Sequence, residues 1–248
     1  MQILLGYIVV FGWVFLSLGA AQLAKKCFKA GEEAARKIVH VSVAFTWFPM
    51  YFFFGTSWHL PVPTAIFIVL NYISCRKNIF SMMERSDAEK QSYGTVFYAL
   101  SMTVMAVCAC IDHRLMTPYG IAALCMALGD GFAPIFGSIK KGNRSFFGGK
   151  RSVYGCMSVF LICGIVVSFM SAFFGLGFEW WNILIIAWGA TIFEIVGVKG
   201  TDNLTLPLGV FILLCIFVGV QRSHHIGVVR CCSSLQNCSP QQSHSEKQ

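Results

Sequence analysis

Three ionisable side chains, His40, Asp130 and Glu194, lie within segments that are otherwise apolar enough to sit in lipid. Asp130 stands between two glycines in the stretch MALGDGFAPIFG, residues 126–137. A charged group inside a bilayer is costly, so residues of this kind mark ion, proton or substrate sites more often than loop residues do. These three positions are therefore the first candidates for chemistry.

The stretch around Asp130 leads into the most basic loop of the chain. Gly129, Gly131 and Pro134 surround Asp130, and this pattern predicts that a regular helix is interrupted there and that the break lines a cavity. Cations and glycine amides follow together, as a polyphosphate site requires. The cations are Lys140, Lys141, Arg144, Lys150 and Arg151, and the glycines are Gly137, Gly142, Gly148 and Gly149. The stretch matches neither the P-loop nor the dinucleotide-binding pattern, and a loop that only sets membrane topology is the alternative.

A second polar cluster lies in EEAARKIVH, residues 32–40. On a helix, Glu33, Arg36, Lys37 and His40 are spaced i, i+3, i+4 and i+7, so they share one face. A basic face at a membrane surface often only anchors lipid headgroups. The acid and the histidine on this face also suit a contact from Arg36, Lys37 or His40 to a phosphate or a substrate, and both interpretations stay open.

The third polar element is ATIFEIVGVKGTDNLTLPL, residues 190–208. Glu194 lies near the end of an apolar run, and Asp202 and Asn203 follow it in the next loop. The topology derived below places these three residues and Asp130 at the same cytosolic membrane face. The alternatives are that Glu194 pairs with a buried Lys or Arg and that Asp202 and Asn203 cap the next helix.

The chain that carries these residues has the composition of a membrane protein. Of its 248 residues, 56% are hydrophobic and 12% are charged, and its mean hydropathy is +0.67. Because about 20 apolar residues cross the hydrocarbon core, uncharged runs of roughly that length predict transmembrane helices. Eight such runs predict an all-α, polytopic transmembrane helix bundle without space for a separate soluble catalytic domain. The runs are 2–24, 39–55, 60–75, 93–111, 115–137, 154–174, 180–198 and 205–221.

The distribution of positive charge predicts how the bundle is oriented. The loops after the odd-numbered runs contain fifteen Lys and Arg residues, and those after the even-numbered runs contain one. By the positive-inside rule, the odd-numbered loops face the cytosol and both termini lie on the opposite side. The formal net charge of +8 follows from this pattern. We expect no nucleic-acid partner, because no aromatic-interleaved basic fold accompanies the charge.

The chain is expected to contain one membrane domain over residues 1–222 and a polar tail over residues 223–248. The tail contains histidines and cysteines and has the composition of a disordered segment. We expect an integral, multi-pass protein of the endoplasmic reticulum in a eukaryote or of the plasma membrane in a bacterium. No pattern in the sequence indicates an oligomeric state.

Five motifs occur in an order that resembles a known family of membrane enzymes. They are RKIVH, YGTVFYAL, GDGFAPIFG, GGKRSVYG and ATIFEIVGVKGTDNLTLPL, and they span residues 30–215. In this order they resemble the family that includes dolichol kinase, phytol kinase and the CTP-dependent diacylglycerol kinase, whose members are often labelled phosphatidate cytidylyltransferases. Each motif alone is weak, whereas five in sequence within a polytopic chain of this size are fairly specific.

The resemblance implies a polytopic enzyme that uses CTP and a divalent metal ion, such as Mg²⁺, to phosphorylate the hydroxyl group of a long-chain lipid alcohol. It places the nucleotide-associated positions at Gly129, Asp130, Gly137, Lys150, Ser152 and Gly155, and the late acidic motif at Glu194, Asp202 and Asn203. One position departs from the family, because Tyr154 stands where similar proteins commonly carry an acid within K-x-S-x-x-G. An enzyme that needed this acid would be impaired in activity or metal use.

The residue types themselves suit phosphoryl transfer, which needs cations over the phosphates, an aligned acceptor and a metal ion held by carboxylates. Asp130 and Asp202 are the expected metal ligands. Either Glu194 or His40 is expected to take the proton from the lipid hydroxyl. The residues expected to hold the phosphates are Lys150 and Arg151, with help from Lys140 and Lys141.

Three alternatives stay open at the level of the sequence. A cytidylyltransferase that joins CTP to phosphatidate uses the same nucleotide, metal and lipid interface. A transporter also contains broken helices and membrane carboxylates, although the polar residues here concentrate at one membrane face and no internal repeat is apparent. A non-catalytic scaffold is the third alternative, and Tyr154 favours it.

Overall fold

The structure is a computed structural model that describes residues 1–29, 31–77, 93–138, 145–146, 151–197 and 201–236. Side chains are described within these ranges up to residue 219, except for those of residues 145, 146 and 151. The helices are α1 (Gln2–Phe28), α2 (Glu32–Ala44), α3 (Trp47–Phe54), α4 (Pro61–Lys77), α5 (Gly94–Ile111), α6 (Met116–Gly137), α7 (Val153–Phe174), α8 (Trp180–Val196) and α9 (Asp202–Gln236), with a 3₁₀ turn at His113–Leu115. Two short strands, β1 (Ser145–Phe146) and β2 (Arg151–Ser152), pair in antiparallel fashion.

The described part of the chain confirms the predicted helix bundle. Six segments are long and apolar enough to cross a membrane: Gln2–Phe28, Glu32–Phe54, Gly94–Ile111, His113–Gly137, Val153–Phe174 and Asp202–Gly219. Two of the eight predicted runs fall short of this criterion, because α4 and α8 contain 17 residues each. A helix of that length rises about 26 Å, which is less than the ~30 Å of a typical hydrocarbon core. The side of the membrane that each end faces stays a prediction.

Helix α6 is the centre of the bundle and packs against α7, α9, α2 and α5. Small residues let the helices approach closely. A Cβ atom added at Gly120 would overlap the ring of Trp47, a fully buried side chain whose Nε1 donates a hydrogen bond to the Met116 carbonyl at 3.2 Å. Because lipid tails are as apolar as leucine, such close packing and interhelical hydrogen bonds stabilise membrane helix bundles.

The chain direction brings the polar motifs to one end of the bundle. Helices α4 to α9 pack as successive antiparallel neighbours, so alternate connections lie at the same end. The starts of α2, α5, α7 and α9 therefore lie beside the ends of α6 and α8. We call this end the site end. Its residues belong to all three polar elements that the sequence singled out.

The predicted interruption of the helix around Asp130 was wrong. Helix α6 continues through Gly129, Gly131 and Pro134 to Gly137. The two glycines serve packing instead: a Cβ atom at Gly131 would lie 2.6 Å from Val41 Cγ2 on α2, and one at Gly129 would lie 3.3 Å from a cysteine sulfur on α7. Pro134 lies in the last turn, where its missing amide removes the intrahelical donor to the Asp130 carbonyl and Lys37 of α2 bonds that carbonyl instead.

The domain boundary expected at residue 222 falls inside a helix. The backbone of α9 stays helical to Gln236, which is well inside the segment separated above as a polar tail. The rest of that tail, residues 237–248, lies outside the described residues.

Candidate functional site

Asp130 on α6 is contacted by two side chains of α2. The ammonium group of Lys37 forms an ion pair with Asp130 Oδ2 and also donates a hydrogen bond to the backbone oxygen of Asp130 at 2.9 Å. His40 Nε2 lies 3.5 Å from the same carboxylate oxygen. The side chains of Lys37, His40 and Asp130 are 16%, 12% and 13% exposed. Because water has little access to this cluster, it screens the attraction much less than at an exposed ion pair.

The face predicted for residues 32–40 divides into two pairs of side chains. Lys37 and His40 are three residues apart on α2 and reach one carboxylate on α6. Arg36 instead forms an ion pair with Glu33 on its own helix, with Arg36 Nη2 2.5 Å from Glu33 Oε2. The helical spacing therefore predicted neighbours correctly, whereas only the second half of the set faces another helix.

Tyr98 of α5 also packs against His40. The two rings meet edge to face with centroids 4.9 Å apart, and the Tyr98 hydroxyl lies 3.4 Å from the His40 carbonyl oxygen. His40 Nε2 is buried, and no described group forms a hydrogen bond with it. The imidazole thus contacts an aromatic ring of α5, and its Nε2 lies 3.5 Å from the carboxylate of α6.

Asn203, in the first turn of α9, is tied to α5 by two contacts. Its Nδ2 donates a hydrogen bond to the Gly94 carbonyl at 3.1 Å, and its own carbonyl oxygen lies 3.0 Å from the hydroxyl of Ser101. Asn203 Oδ1 is buried without a hydrogen-bond partner among the described side chains and backbone. The adjacent Asp202 accepts a hydrogen bond from the Asn203 amide at 3.0 Å. Helix α5 therefore joins the His40 contact to the start of α9.

The end of α6 and the start of α7 approach closely at a set of small residues. The Ser152 hydroxyl accepts a hydrogen bond from the Gly155 amide at 3.0 Å, which caps α7. A Cβ atom at Gly137 would lie 2.6 Å from the same hydroxyl, and one at Gly155 would lie 3.1 Å from the Ala133 carbonyl oxygen. Gly137, Ser152 and Gly155, for which the family resemblance implies a place at the nucleotide, are thus neighbours at the site end.

Glu194 lies near the end of α8 with only 1% of its surface exposed. The end of α8 lies close to the start of α9, because a Cβ atom at Gly197 would lie 2.8 Å from Asp202 Cα. Thr205 closes the junction, with its hydroxyl 3.4 Å from the Phe193 carbonyl. Glu194 at the end of α8 and Asp202 at the start of α9 therefore belong to two helix ends that adjoin at the site end.

Part of the predicted phosphate-binding set cannot be compared with the structure. Lys140, Lys141 and Lys150 lie outside the described residues, and only the backbone of Arg151 is described, in β2. Within the described ranges, no group of three or more His, Cys, Asp and Glu side chains is placed to hold a metal ion by itself. Asp130 and Asp202 are present at the site end, where each is a single carboxylate.

Sequence reasoning missed two residues of this site. In the sequence, Tyr98 and Ser101 are simply two members of an apolar run, yet in the structure they connect α2, α5 and α9. Tyr98 lies inside the motif YGTVFYAL, so its position within a family motif was the one available signal. Ser101 had no such signal, because a serine hydroxyl inside a membrane helix usually bonds its own helix.

Comparison with known proteins identifies a relative of known activity. The chain is 28% identical to the phytol kinase of Synechocystis sp. over 213 residues, which cover 79% of this chain and 88% of that protein. No family model and no solved structure matches the chain. Over most of its length the chain is therefore similar to the lipid-alcohol kinase family, as the order of the five motifs indicated.

Proposed function

We propose, from this similarity and from the cluster at the site end, that the protein is a kinase that transfers a phosphoryl group from CTP to the hydroxyl of a membrane lipid alcohol. The observation that carries the proposal is the convergence of Lys37, His40 and Asp130 from two different helices at one end of an apolar bundle. The relative at 28% identity is a phytol kinase, so a long-chain isoprenoid alcohol is the first acceptor to test.

His40 is the group that we assign to take the proton from the lipid hydroxyl. Its Nε2 lies 3.5 Å from the Asp130 carboxylate, whose negative charge favours a proton on this nitrogen, and the second ring nitrogen then carries the lone pair. A carboxylate next to an imidazole also stabilises the imidazolium that forms when the proton is accepted. Glu194 is the alternative base, but it lies on α8 at the α9 corner.

The residues present suit a metal ion that arrives with the nucleotide. Mg²⁺ in phosphoryl-transfer enzymes is commonly held by one or two carboxylates together with substrate phosphates, and the described residues provide single carboxylates instead of a preformed cage. Asp130 and Asp202 would hold the ion, which would neutralise charge on the phosphates. Asn203 and the Gly137, Ser152 and Gly155 corner are proposed to line the nucleotide site, with Arg36 and the cations of residues 140–151 at its mouth.

The lipid acceptor is proposed to keep its tail in the membrane. On α6, Phe132, Ile135 and Phe136 are exposed within two turns of Asp130, so an apolar surface lies beside the polar cluster. An alcohol whose chain lies along such a surface brings its hydroxyl to the boundary without entering water. This arrangement explains why acidic and basic groups at the site end adjoin exposed aromatic rings.

Transfer from labelled nucleotide tests the proposal directly. Purified protein in lipid–detergent micelles is incubated with Mg²⁺, CTP labelled at the γ-phosphate and, separately, phytol, a polyprenol or diacylglycerol. Label in the lipid product establishes a kinase, and parallel reactions with labelled ATP test the preference for CTP. Label in pyrophosphate after incubation with phosphatidate would instead identify a cytidylyltransferase. Absence of transfer to every acceptor would contradict the proposal.

A further inference from the structure

Two prolines inside helices lie four residues after two of the site residues. Pro134 follows Asp130 in α6, and Pro207 follows Asn203 in α9. In an α-helix the amide of residue i+4 donates to the carbonyl of residue i, and proline has no amide hydrogen. The carbonyls of Asp130 and Asn203 are therefore both without their usual helical donor.

At Asp130 a side chain of the neighbouring helix supplies the donor. Lys37 Nζ lies 2.9 Å from the Asp130 backbone oxygen and is ion-paired with the carboxylate of the same residue. One ammonium group thus binds both the main chain and the side chain of Asp130. This double contact restricts rotation of the Asp130 side chain, because the cation that holds its carboxylate is itself fixed to the backbone.

At Asn203 the donor to the freed backbone carbonyl is a serine of the neighbouring helix. The Ser101 hydroxyl of α5 lies 3.0 Å from the Asn203 carbonyl oxygen and 2.8 Å from the Tyr98 carbonyl oxygen, so its single proton is shared between the two. Ser101 is fully buried. The Asn203 side chain is held as well, through its Nδ2 contact to Gly94.

We propose that Pro134 and Pro207 are positioning residues, each of which frees the carbonyl of a site residue so that a side chain from the next helix can anchor it. Lys37 then acts through Asp130 and is not a phosphate ligand. This proposal rests on the proposed function for its catalytic consequence, whereas its structural content does not depend on any substrate. If the prolines had no positioning role, the effects of substitutions at Pro134 and Lys37, and at Pro207 and Ser101, would be independent of each other.

A double-mutant cycle on thermal unfolding tests the structural part. In the wild-type background, Lys37→Met leaves both the carboxylate and the carbonyl of Asp130 without their cation. In a Pro134→Ala background, the new amide at position 134 donates to that carbonyl, so Lys37→Met removes the ion pair but no longer leaves the carbonyl without a donor. We expect the fall in melting temperature in detergent to be smaller by about 2–4 °C in the Pro134→Ala background, which corresponds to one hydrogen bond.

Pro118→Ala is the matched control, because Pro118 lies in the first turn of the same helix, where an amide has no intrahelical acceptor. Lys37→Met should lower the melting temperature by the same amount in the Pro118→Ala background as in the wild-type background. Equal costs in the Pro134→Ala and Pro118→Ala backgrounds would overturn the proposal. If Lys37→Met does not fold, the milder substitution Ser101→Ala is tested in its place. The fall in melting temperature that it causes should be smaller in the Pro207→Ala background than in the wild-type background, and equal falls would overturn the proposal.

Kinetics with γ-labelled CTP test the catalytic consequence. Pro134→Ala should lower kcat about fivefold to tenfold, the loss expected for one hydrogen bond, at an unchanged KM for CTP. Pro118→Ala should keep wild-type kinetics. A raised KM for CTP with unchanged kcat in Pro134→Ala would overturn the positioning role. If the wild-type chain transfers no phosphate, the proposed function fails, and the thermal cycle alone still decides whether the prolines free these carbonyls.

Discussion

Replacement of Asp130 by asparagine tests the cluster at the site end most directly. Asp130→Asn keeps the shape and one acceptor oxygen but removes the negative charge that faces Lys37 and His40. The Lys37 ammonium then remains mostly buried, with the backbone oxygen of residue 130 and an amide oxygen as neutral partners. The substitution therefore separates the charge of the carboxylate from its volume.

The size of the effect on stability follows from the burial of the pair. Removal of one partner from a buried ion pair costs about 3–5 kcal/mol, because it leaves an uncompensated charge. Lys37 is 16% exposed and keeps a hydrogen bond to the backbone, so the cost falls at or just below the lower limit of this range, at about 2–3 kcal/mol. For a chain of this size that corresponds to a fall of roughly 4–12 °C in melting temperature.

The expected effect on activity is much larger than the effect on stability. The variant loses the group that orients His40 and that is proposed to hold a metal ion, and general-base catalysis alone contributes about 10²–10⁴-fold. We expect transfer from γ-labelled CTP to fall at least ~100-fold in protein that still elutes as a folded species from size-exclusion chromatography. Asp130→Glu should recover stability better than turnover, because it restores the charge at a shifted position.

Asp112→Asn is the matched control for this experiment. Asp112 is also an aspartate ion-paired with a cation, Arg114, but it lies in the connection between α5 and α6, at the opposite end of the bundle. Its replacement should leave transfer unchanged. A folded Asp130→Asn protein that retains more than a tenth of wild-type transfer would refute the catalytic and metal-binding roles given to Asp130.

Two further predictions concern packing and pH. Gly120→Ala should lower the free energy of unfolding by about 1–3 kcal/mol or more, because the added Cβ atom overlaps the buried Trp47 ring. Gly12→Ala in α1 is the control: its Cβ atom meets no atom within 4 Å, so it should be neutral or slightly stabilising. Thermal unfolding in detergent measures both. The hydrogen bond from Arg114 lowers the pKa of Asp112 to about 2 from 3.8, so its small stabilising contribution is present above the ordinary pKa and is lost as pH falls through the folded value. The melting temperatures of wild type and Asp112→Asn should therefore converge as pH approaches 2, and curves that stay parallel from pH 6 to 2 would contradict this assignment.

The helix bundle and the convergence of the polar motifs at one end of it were accessible from the sequence. Apolar runs of the right length mark membrane helices, and because successive helices reverse direction, the polar motifs at residues 32–40, 129–137 and 190–208 were expected at one end. Contacts between α2 and α6 and between α5 and α9 place them there. The exact number of spans stays a prediction, because α4 and α8 are apolar helices with 17 described residues each, at the short end of the length that crosses a membrane.

The partners of the site residues were not accessible in the same way. The spacing of Lys37 and His40 predicts a shared face, but it does not indicate which helix that face meets. The pairing with Asp130 depends on how closely α2 approaches α6, and this distance is set by Gly131 against Val41. Interhelical pairing is a property of tertiary packing, so one sequence without its fold leaves the partner open.

The error at Pro134 shows how the same residues acquire a different meaning once the neighbouring helix is known. Glycine and proline weaken an isolated helix, and on that ground a break was expected around Asp130. In the bundle the glycines remove bulk where another helix packs, and a lysine of that helix bonds the carbonyl that the proline leaves without a donor. An interior proline in a membrane helix is tolerated where a neighbouring group satisfies the freed carbonyl. A polar side chain opposite the residue four positions before such a proline is therefore a contact to look for, and Asn203 with Ser101 provides the second case in this chain.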